Sequence, residues 1–230
     1  MNRSLDVATS FMSSVARLGA GIRAAHPARR RPEKPLELYE FEACPFCRKV
    51  REALTGLDLD AMIYPCARGS RYRDVVKERG GKLMFPFLVD PNTGRSMYES
   101  DDIIRYLAET YGGSVPLLLK LGPLTTLTSA GASAWRPGRG RAARPARAPD
   151  QPLELWSFEG SPFCRIAREA LCELSIPYLL HNVGKKGAGR EAFVAMTGRM
   201  MVPYLKDPNT GAAMFESADI VKYLASTYAS

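Results

Sequence analysis

Apolar and polar positions along this chain fall into one pattern that occurs twice. Leu36, Leu38 and Phe41 mark a short strand, and Phe46, Val50, Ala53, Leu54 and Leu57 then recur at helical spacing from Pro45 onward. Ala61–Tyr64 predicts a second strand, and the polar stretch through Arg79 a second, weaker helix. Phe87–Val89 and Ser96–Tyr98 flank the turn signal Asp90-Pro91-Asn92-Thr93-Gly94 and predict a hairpin. Ser100 is placed to cap a last helix that buries Ile103, Ile104, Leu107 and Tyr111. The predicted order is β-α-β-α-β-β-α, an α/β unit of about 80 residues.

Displaced by 117 positions, residues 35–113 fall on residues 152–230 without a gap, and about 35 of the 79 pairs are identical. Phe163, Ala167, Ala170, Leu171 and Leu174 repeat the first helix, and Tyr178–Leu180 the second strand. The chain therefore divides into a partly helical basic leader (1–34), a first domain (35–114), a Gly/Pro/Arg-rich linker (115–151) and a second domain (152–230). Two copies are too few for a solenoid. Units this small bury a modest core, which predicts that the halves dock.

The net charge of +8 belongs to the connecting segments, since residues 1–34 and 115–151 each carry a net +5. Arg29-Arg30-Arg31 and the run from Arg136 to Arg147 raise nucleic-acid binding. Neither has interleaved aromatics or a recognition motif, so a solvated linker is expected and no nucleic-acid partner. Within it, Val115–Leu119 is expected to pack locally. No run of 18 apolar residues predicts a membrane span. Met1–Ala25 lacks the apolar core and cleavage site of a secretory signal. The Arg-, Ser- and Ala-rich start raises organellar import. Against it, Ala24-Ala25 and Pro27-Ala28-Arg29 recur as Ala142-Ala143 and Pro145-Ala146-Arg147, which reads as a leader duplicated with its domain. A cytoplasmic protein is expected, with import as the alternative. Five cysteines, an odd number, point to a reducing compartment and reactive thiols rather than a disulfide framework.

Cys44-Pro45-Phe46-Cys47 follows a predicted strand and opens a predicted helix. There the helix N-terminus favours a thiolate on Cys44, and Cys47 lies one turn on as a resolving thiol. The second copy reads Ser161-Pro162-Phe163-Cys164. A metal site would need a second ligand pair, and neither His26 nor His181 has ligand spacing, so no metal is expected. Phe85-Pro86 and Val202-Pro203 stand before the third strand, where proline is tolerated. Glu99-Ser100 and Glu216-Ser217 join an acid, which accepts an ammonium, to a helix N-terminus, which accepts a carboxylate. Together they suit an α-amino acid end. Lys82 and Arg199 read as exposed loop charges, with a ligand carboxylate as the alternative. Cys66 ends the second strand as a structural cysteine or a third redox thiol, and Cys172 belongs to the core.

With C-P-F-C or S-P-F-C, F-P or V-P, and E-S-x-D-I in that order, each repeat resembles the N-terminal, glutathione-binding domain of the glutathione transferase superfamily, close to glutaredoxin. The resemblance covers about two thirds of the chain. It implies two tandem thioredoxin-like domains in which Pro86 and Pro203 are cis and face the thiol position. It further implies that Phe46, Phe85, Pro86, Glu99 and Ser100 line a glutathione site beside Cys44. Phe163, Cys164, Val202, Pro203, Glu216 and Ser217 would line a second beside Ser161. The chain departs from the superfamily in having no all-helical C-terminal domain, which argues against general conjugation. The implied function is a glutathione-dependent thiol–disulfide oxidoreductase. Glutathione is its cosubstrate, its partners are glutathionylated or disulfide substrates, Cys44 is the nucleophile, and Cys47 or a second glutathione resolves. The alternatives are conjugation at Ser161, and non-catalytic binding of glutathione, an iron–sulfur cluster or haem.

Overall fold

A computed structural model describes residues 3–15, 19–114, 128, 129, 131, 136 and 138–230. The expected packing of Val115–Leu119 lies outside these. Helix α1 (Arg3–Val15) precedes the first repeat, which runs β1 (Leu36–Glu40), α2 (Pro45–Leu57), β2 (Ala61–Pro65), α3 (Tyr72–Gly80), β3 (Phe87–Asp90), β4 (Arg95–Met97) and α4 (Ser100–Tyr111). The second runs β5 (Leu153–Ser157), α5 (Pro162–Glu173), β6 (Tyr178–Asn182), α6 (Gly189–Thr197), β7 (Tyr204–Asp207), β8 (Ala212–Phe215) and α7 (Ser217–Tyr228). Both have the predicted β-α-β-α-β-β-α order, the thioredoxin-like arrangement.

Strand alternation divides the core. Leu36 and Leu38 face a cluster with Val50, Leu54, Ile103 and Leu107, and this cluster continues into Leu153, Leu155, Leu171 and Leu224 of the second repeat. Tyr39, Phe87 and Val89, on the other face, pack with Val76 of α3. The turn residues of the hairpin also tie it to the last helix. Asp90 accepts hydrogen bonds from Tyr106 at 2.7 Å, Tyr111 at 2.6 Å and the Asn92 N–H at 2.8 Å. Asp207 repeats this with Tyr223, Tyr228 and Asn209.

Docking goes further than packed faces, because the two repeats share one sheet. Its strand order is β4-β3-β1-β2-β6-β5-β7-β8. The edge strands β2 and β6 pair antiparallel, with Ala61 opposite Leu180, Met62 opposite Leu179 and Ile63 opposite Tyr178. Met62 and Leu179 are equivalent positions of the repeat, so a local two-fold axis passes between them. Two parallel pairings and this antiparallel one make β1 and β5 run in opposite directions. The helices α2 and α5 that follow them do the same.

The segments before each repeat cross this axis reciprocally. The Lys185 N–H donates to Ile22 O, and Lys185 O accepts the Ala24 N–H, both at 2.9 Å, before His26 and Ala28 return to Gly56 and Leu57. Arg68 makes the matching pair with Arg141 and Ala143, before Arg144 and Arg147 return to Glu173 and Tyr228. Arg136 is 5% exposed, with its guanidinium on Glu169 and Asp6. The expectation of a solvated linker therefore does not hold for these residues. The echo between the two leaders in the sequence reflects two equivalent straps.

Around the axis lies a buried charge seam. Arg51 of α2 reaches Glu159 at 2.9 Å, and Arg168 of α5 reaches Glu42 at 3.1 Å. Each arginine also meets the other acid, at 3.3 and 2.7 Å. Arg48 and Arg165 stand beside them, equally buried. Burial pushes the Glu159 carboxyl up, but Arg168, Arg51, Arg165 and Arg48 outweigh it and hold it at about 2. Glu40 lacks such compensation: burial pushes it up to about 7 against Arg51, with Glu42 and Glu159 adding.

One shared sheet and seam predict a single cooperative thermal transition rather than two. Glu159 has its folded pKa below its unfolded one, so its stabilisation is complete above about pH 4.5 and is lost as pH falls toward 2. Glu159→Gln should cost on the order of 3 kcal/mol at pH 7 and flatten that acid limb in urea titrations. Two separate transitions, or an unchanged limb, would contradict the seam.

Candidate functional site

The chain leaves β1 at Glu40, turns through Phe41–Ala43 and enters α2 at Pro45. Cys44 occupies the cap position, with φ −74° and ψ 121°. Its N–H donates to Phe41 O at 3.0 Å, and its Sγ accepts the Cys47 N–H at 3.3 Å. Proline fits the first helical position because the N–H it lacks would have no partner there. The Cys44 thiol is held below the ordinary thiol range, first by a hydrogen bond from the Cys47 thiol. Burial opposes this, and the backbone N–H groups of Cys47 and Phe46 assist. Cys47 is pushed well above that range by burial and by its neighbour Cys44. The geometry thus lowers one thiol of the pair and raises the other.

The second copy reproduces the cap with oxygen. Ser161 has φ −77° and ψ 123°, and its Oγ accepts the Cys164 N–H at 3.3 Å. Burial raises the Cys164 thiol. Phe158, Ser161, Phe163, Val202, Pro203, Glu216 and Ser217 line a cavity of about 370 Å³ with Met200, Met201 and Arg190. Six of the seven residues expected there, Ser161 among them, thus come together, and the seventh, Cys164, is fully buried. In the first copy the ring of Phe85 meets Phe41 edge-on at 5.8 Å, and Arg73 lies over it at 5.0 Å.

Both X-Pro bonds, Phe85–Pro86 and Val202–Pro203, are cis. The helices beyond them differ from expectation in one respect. Ser100 and Ser217 are buried first residues of α4 and α7, and the cap positions fall to Glu99 and Glu216, at φ 64° and 66°. Neither glutamate caps through its side chain. A positive φ on a non-glycine residue costs roughly 1–3 kcal/mol and gathers at functional sites, and here it recurs at equivalent positions. Phe46 and Phe163 also depart from their helical pattern. They are 45% and 42% exposed, although Cys47 and Cys164 beside them are fully buried.

Arg73 and Arg190 escaped the sequence reading. They are equivalent and donate to Cys66 O at 2.9 Å and Val183 O at 3.2 Å. Their signal was identity across copies inside a helix that otherwise diverges. Lys82 and Arg199 instead stack on Tyr98 and Phe215, at 4.7 and 4.0 Å. Cys66 is fully buried, donates to Tyr64 O, and has its thiol pushed far up by burial, as suits a structural cysteine. Cys172 is more than core: its Sγ accepts the Glu42 N–H and donates to Gly140 O, both at 3.4 Å. Among the described residues no group of three His, Cys, Asp or Glu side chains is arranged to hold a metal ion. No helix among them is long and apolar enough to cross a membrane.

A family model described as "Glutathione S-transferase, N-terminal domain" matches residues 38–115 and again 155–230. No curated protein sequence matches the chain. Among solved structures, glutaredoxin 2 from Salmonella typhimurium in complex with glutathione is 24% identical over 35% of each chain, with a TM-score of 0.28. This chain thus spans about a third of that protein. A trimeric glutathione transferase of Leishmania is 17% identical over 86% of this chain and 68% of its own, with a TM-score of 0.29.

Iodoacetamide labelling at pH 7, read by mass spectrometry, should modify Cys44 before any other cysteine. Its rate should hold to lower pH than that of a free thiol, whose pKa is about 8.5. Cys47, Cys66, Cys164 and Cys172 should react only on unfolding. Labelling of Cys47 as fast as Cys44 would contradict the division of roles.

Proposed function

The chain belongs to the glutathione S-transferase N-terminal domain family, and from that premise we propose that it is a glutathione-dependent thiol–disulfide oxidoreductase acting through Cys44. The observation that carries this reading is the cap geometry, which lowers the Cys44 thiol while Cys47 keeps its proton. The Cys44 thiolate attacks the glutathione sulfur of a mixed disulfide. The S–S bond breaks, the substrate leaves as a thiolate that takes a proton from water, and glutathione stays on Cys44. The thiolate of a second glutathione then attacks that glutathione sulfur, forming oxidised glutathione and restoring Cys44.

Of the two resolving routes, the second glutathione is favoured over Cys47. Burial alone disfavours the Cys47 thiolate, and burial persists once Cys44 is occupied. Ser161 and Cys164 take no part in this cycle. They lie at the opposite end of the sheet, about one helix length or roughly 20 Å away. Phe85, Pro86, Glu99 and Ser100 are the residues we assign to glutathione beside Cys44, with exposed Phe46 at the rim.

A second reading rests on the cavity beside Ser161. The Oγ of Ser161 accepts the Cys164 N–H, and its own proton remains to donate to a glutathione thiolate. There glutathione would attack an electrophile and displace its leaving group.

Release of glutathione from a glutathionylated protein should fall to background in Cys44→Ser and persist in Cys47→Ser and Ser161→Ala. Full activity in Cys44→Ser would reject the assignment. Turnover of an electrophile that survives Cys44→Ser and disappears in Ser161→Ala would establish the second reading instead.

A further inference from the structure

The loop that presents Cys44 is held by Arg51 of its own repeat, which donates to Glu42 O at 3.2 Å, and also by groups from outside that repeat. Arg168 of α5 forks onto the Glu42 carboxylate, with Nε and Nη2 each at 3.1 Å from an oxygen. The Sγ of Cys172, one turn further along α5, accepts the Glu42 N–H at 3.4 Å. Gly140 O, in the strap before the second repeat, accepts the Ala43 N–H at 3.4 Å. Glu42 and Ala43 are the two residues immediately before Cys44.

The mirror arrangement shows that this is a built device. Arg51 holds Glu159, the Thr55 hydroxyl accepts the Glu159 N–H at 3.3 Å, and Gly21 O accepts the Gly160 N–H at 2.8 Å. Every member is related to its counterpart by the local two-fold axis. The copies differ in the acceptor, which is the hydroxyl of Thr55 behind Ser161 and the sulfur of Cys172 behind Cys44.

We propose that Cys172 and Arg168 are positioning residues for Cys44, so that the second repeat completes the reactive site of the first. Within this loop their contacts are to Glu42 and not to the Cys44 sulfur. The titratable groups acting on that sulfur, Cys47 and Glu40, both belong to the first repeat. The influence of Cys172 and Arg168 therefore passes through the loop backbone. Holding residues 42 and 43 fixes where the Cys44 Sγ meets the N–H of Cys47. The hydrogen bonds that favour the thiolate weaken steeply with misalignment. The proposal rests on Cys44 being the nucleophile. It assigns the Ser161-bearing repeat a role that requires no catalysis of its own.

The test uses the full-length chain and the pH dependence of Cys44 alkylation. Cys172→Val removes the acceptor, so its pH midpoint should rise and labelling at pH 7 should slow about three- to tenfold. Cys172→Thr, which copies Thr55, should stay within about twofold of the parent. Arg168→Gln should raise the midpoint further, and if it does not fold the Cys172 pair decides. Leu224→Val trims the core of the same repeat without touching the loop. It should lower the melting temperature and leave the midpoint in place. A Cys172→Val midpoint equal to the parent's, or the same rise in Leu224→Val, would overturn the proposal. A parent protein without deglutathionylation, in which Cys44 still responds to Cys172, would remove the proposed reaction and leave the positioning intact.

Discussion

Antiparallel pairing of β2 with β6 is the constraint on which the rest of this molecule depends. An unpaired edge strand is a template for unwanted association, and β2 and β6 would each be one in an isolated repeat. Joining the two edges around Met62 and Leu179 removes both at once and makes eight strands one sheet. It also sets α2 and α5 side by side in opposite directions. The C-terminal half of each helix then lies against the loop that opens the other.

That juxtaposition explains the buried charges. Arg48, Arg51, Arg165 and Arg168 are all buried, Arg51 and Arg168 against the loop of the other repeat and Arg48 and Arg165 also against α1. Removing a guanidinium from water costs several kcal/mol unless it is paired with good geometry. Glu42 and Glu159 supply pairing from across the axis, and each stands two residues before the helix-cap residue of its own repeat. The seam therefore joins stability and site geometry: what compensates the buried arginines also fixes the loops of Cys44 and Ser161.

The same symmetry separates the copies. With β1 and β5 antiparallel, Cys44 and Ser161 follow strands that run in opposite directions. Repeat two keeps the cap but replaces sulfur with oxygen, and its cavity lies beside a hydroxyl. Glu40 distinguishes the first copy as well. Its counterpart is the small Ser157, so the thiol-bearing repeat alone has a carboxyl with a strongly raised pKa under its helix.

Much of this was legible in the chain. The 117-residue displacement, the strand-to-helix passage at Cys44 and Ser161, and the turn at Asp90-Pro91-Asn92-Thr93-Gly94 are local patterns. They express backbone preference and apolar spacing within a few residues, so the sequence by itself determined two α/β units and the residues at their mouths. The burial of four arginines, the exposure of Phe46 and Phe163, the structural use of Arg136 and the anchoring role of Cys172 were decided by tertiary structure alone. Each depends on what covers a surface from more than 30 positions away, and an arginine on a helix reads as solvated until a second repeat is laid against it.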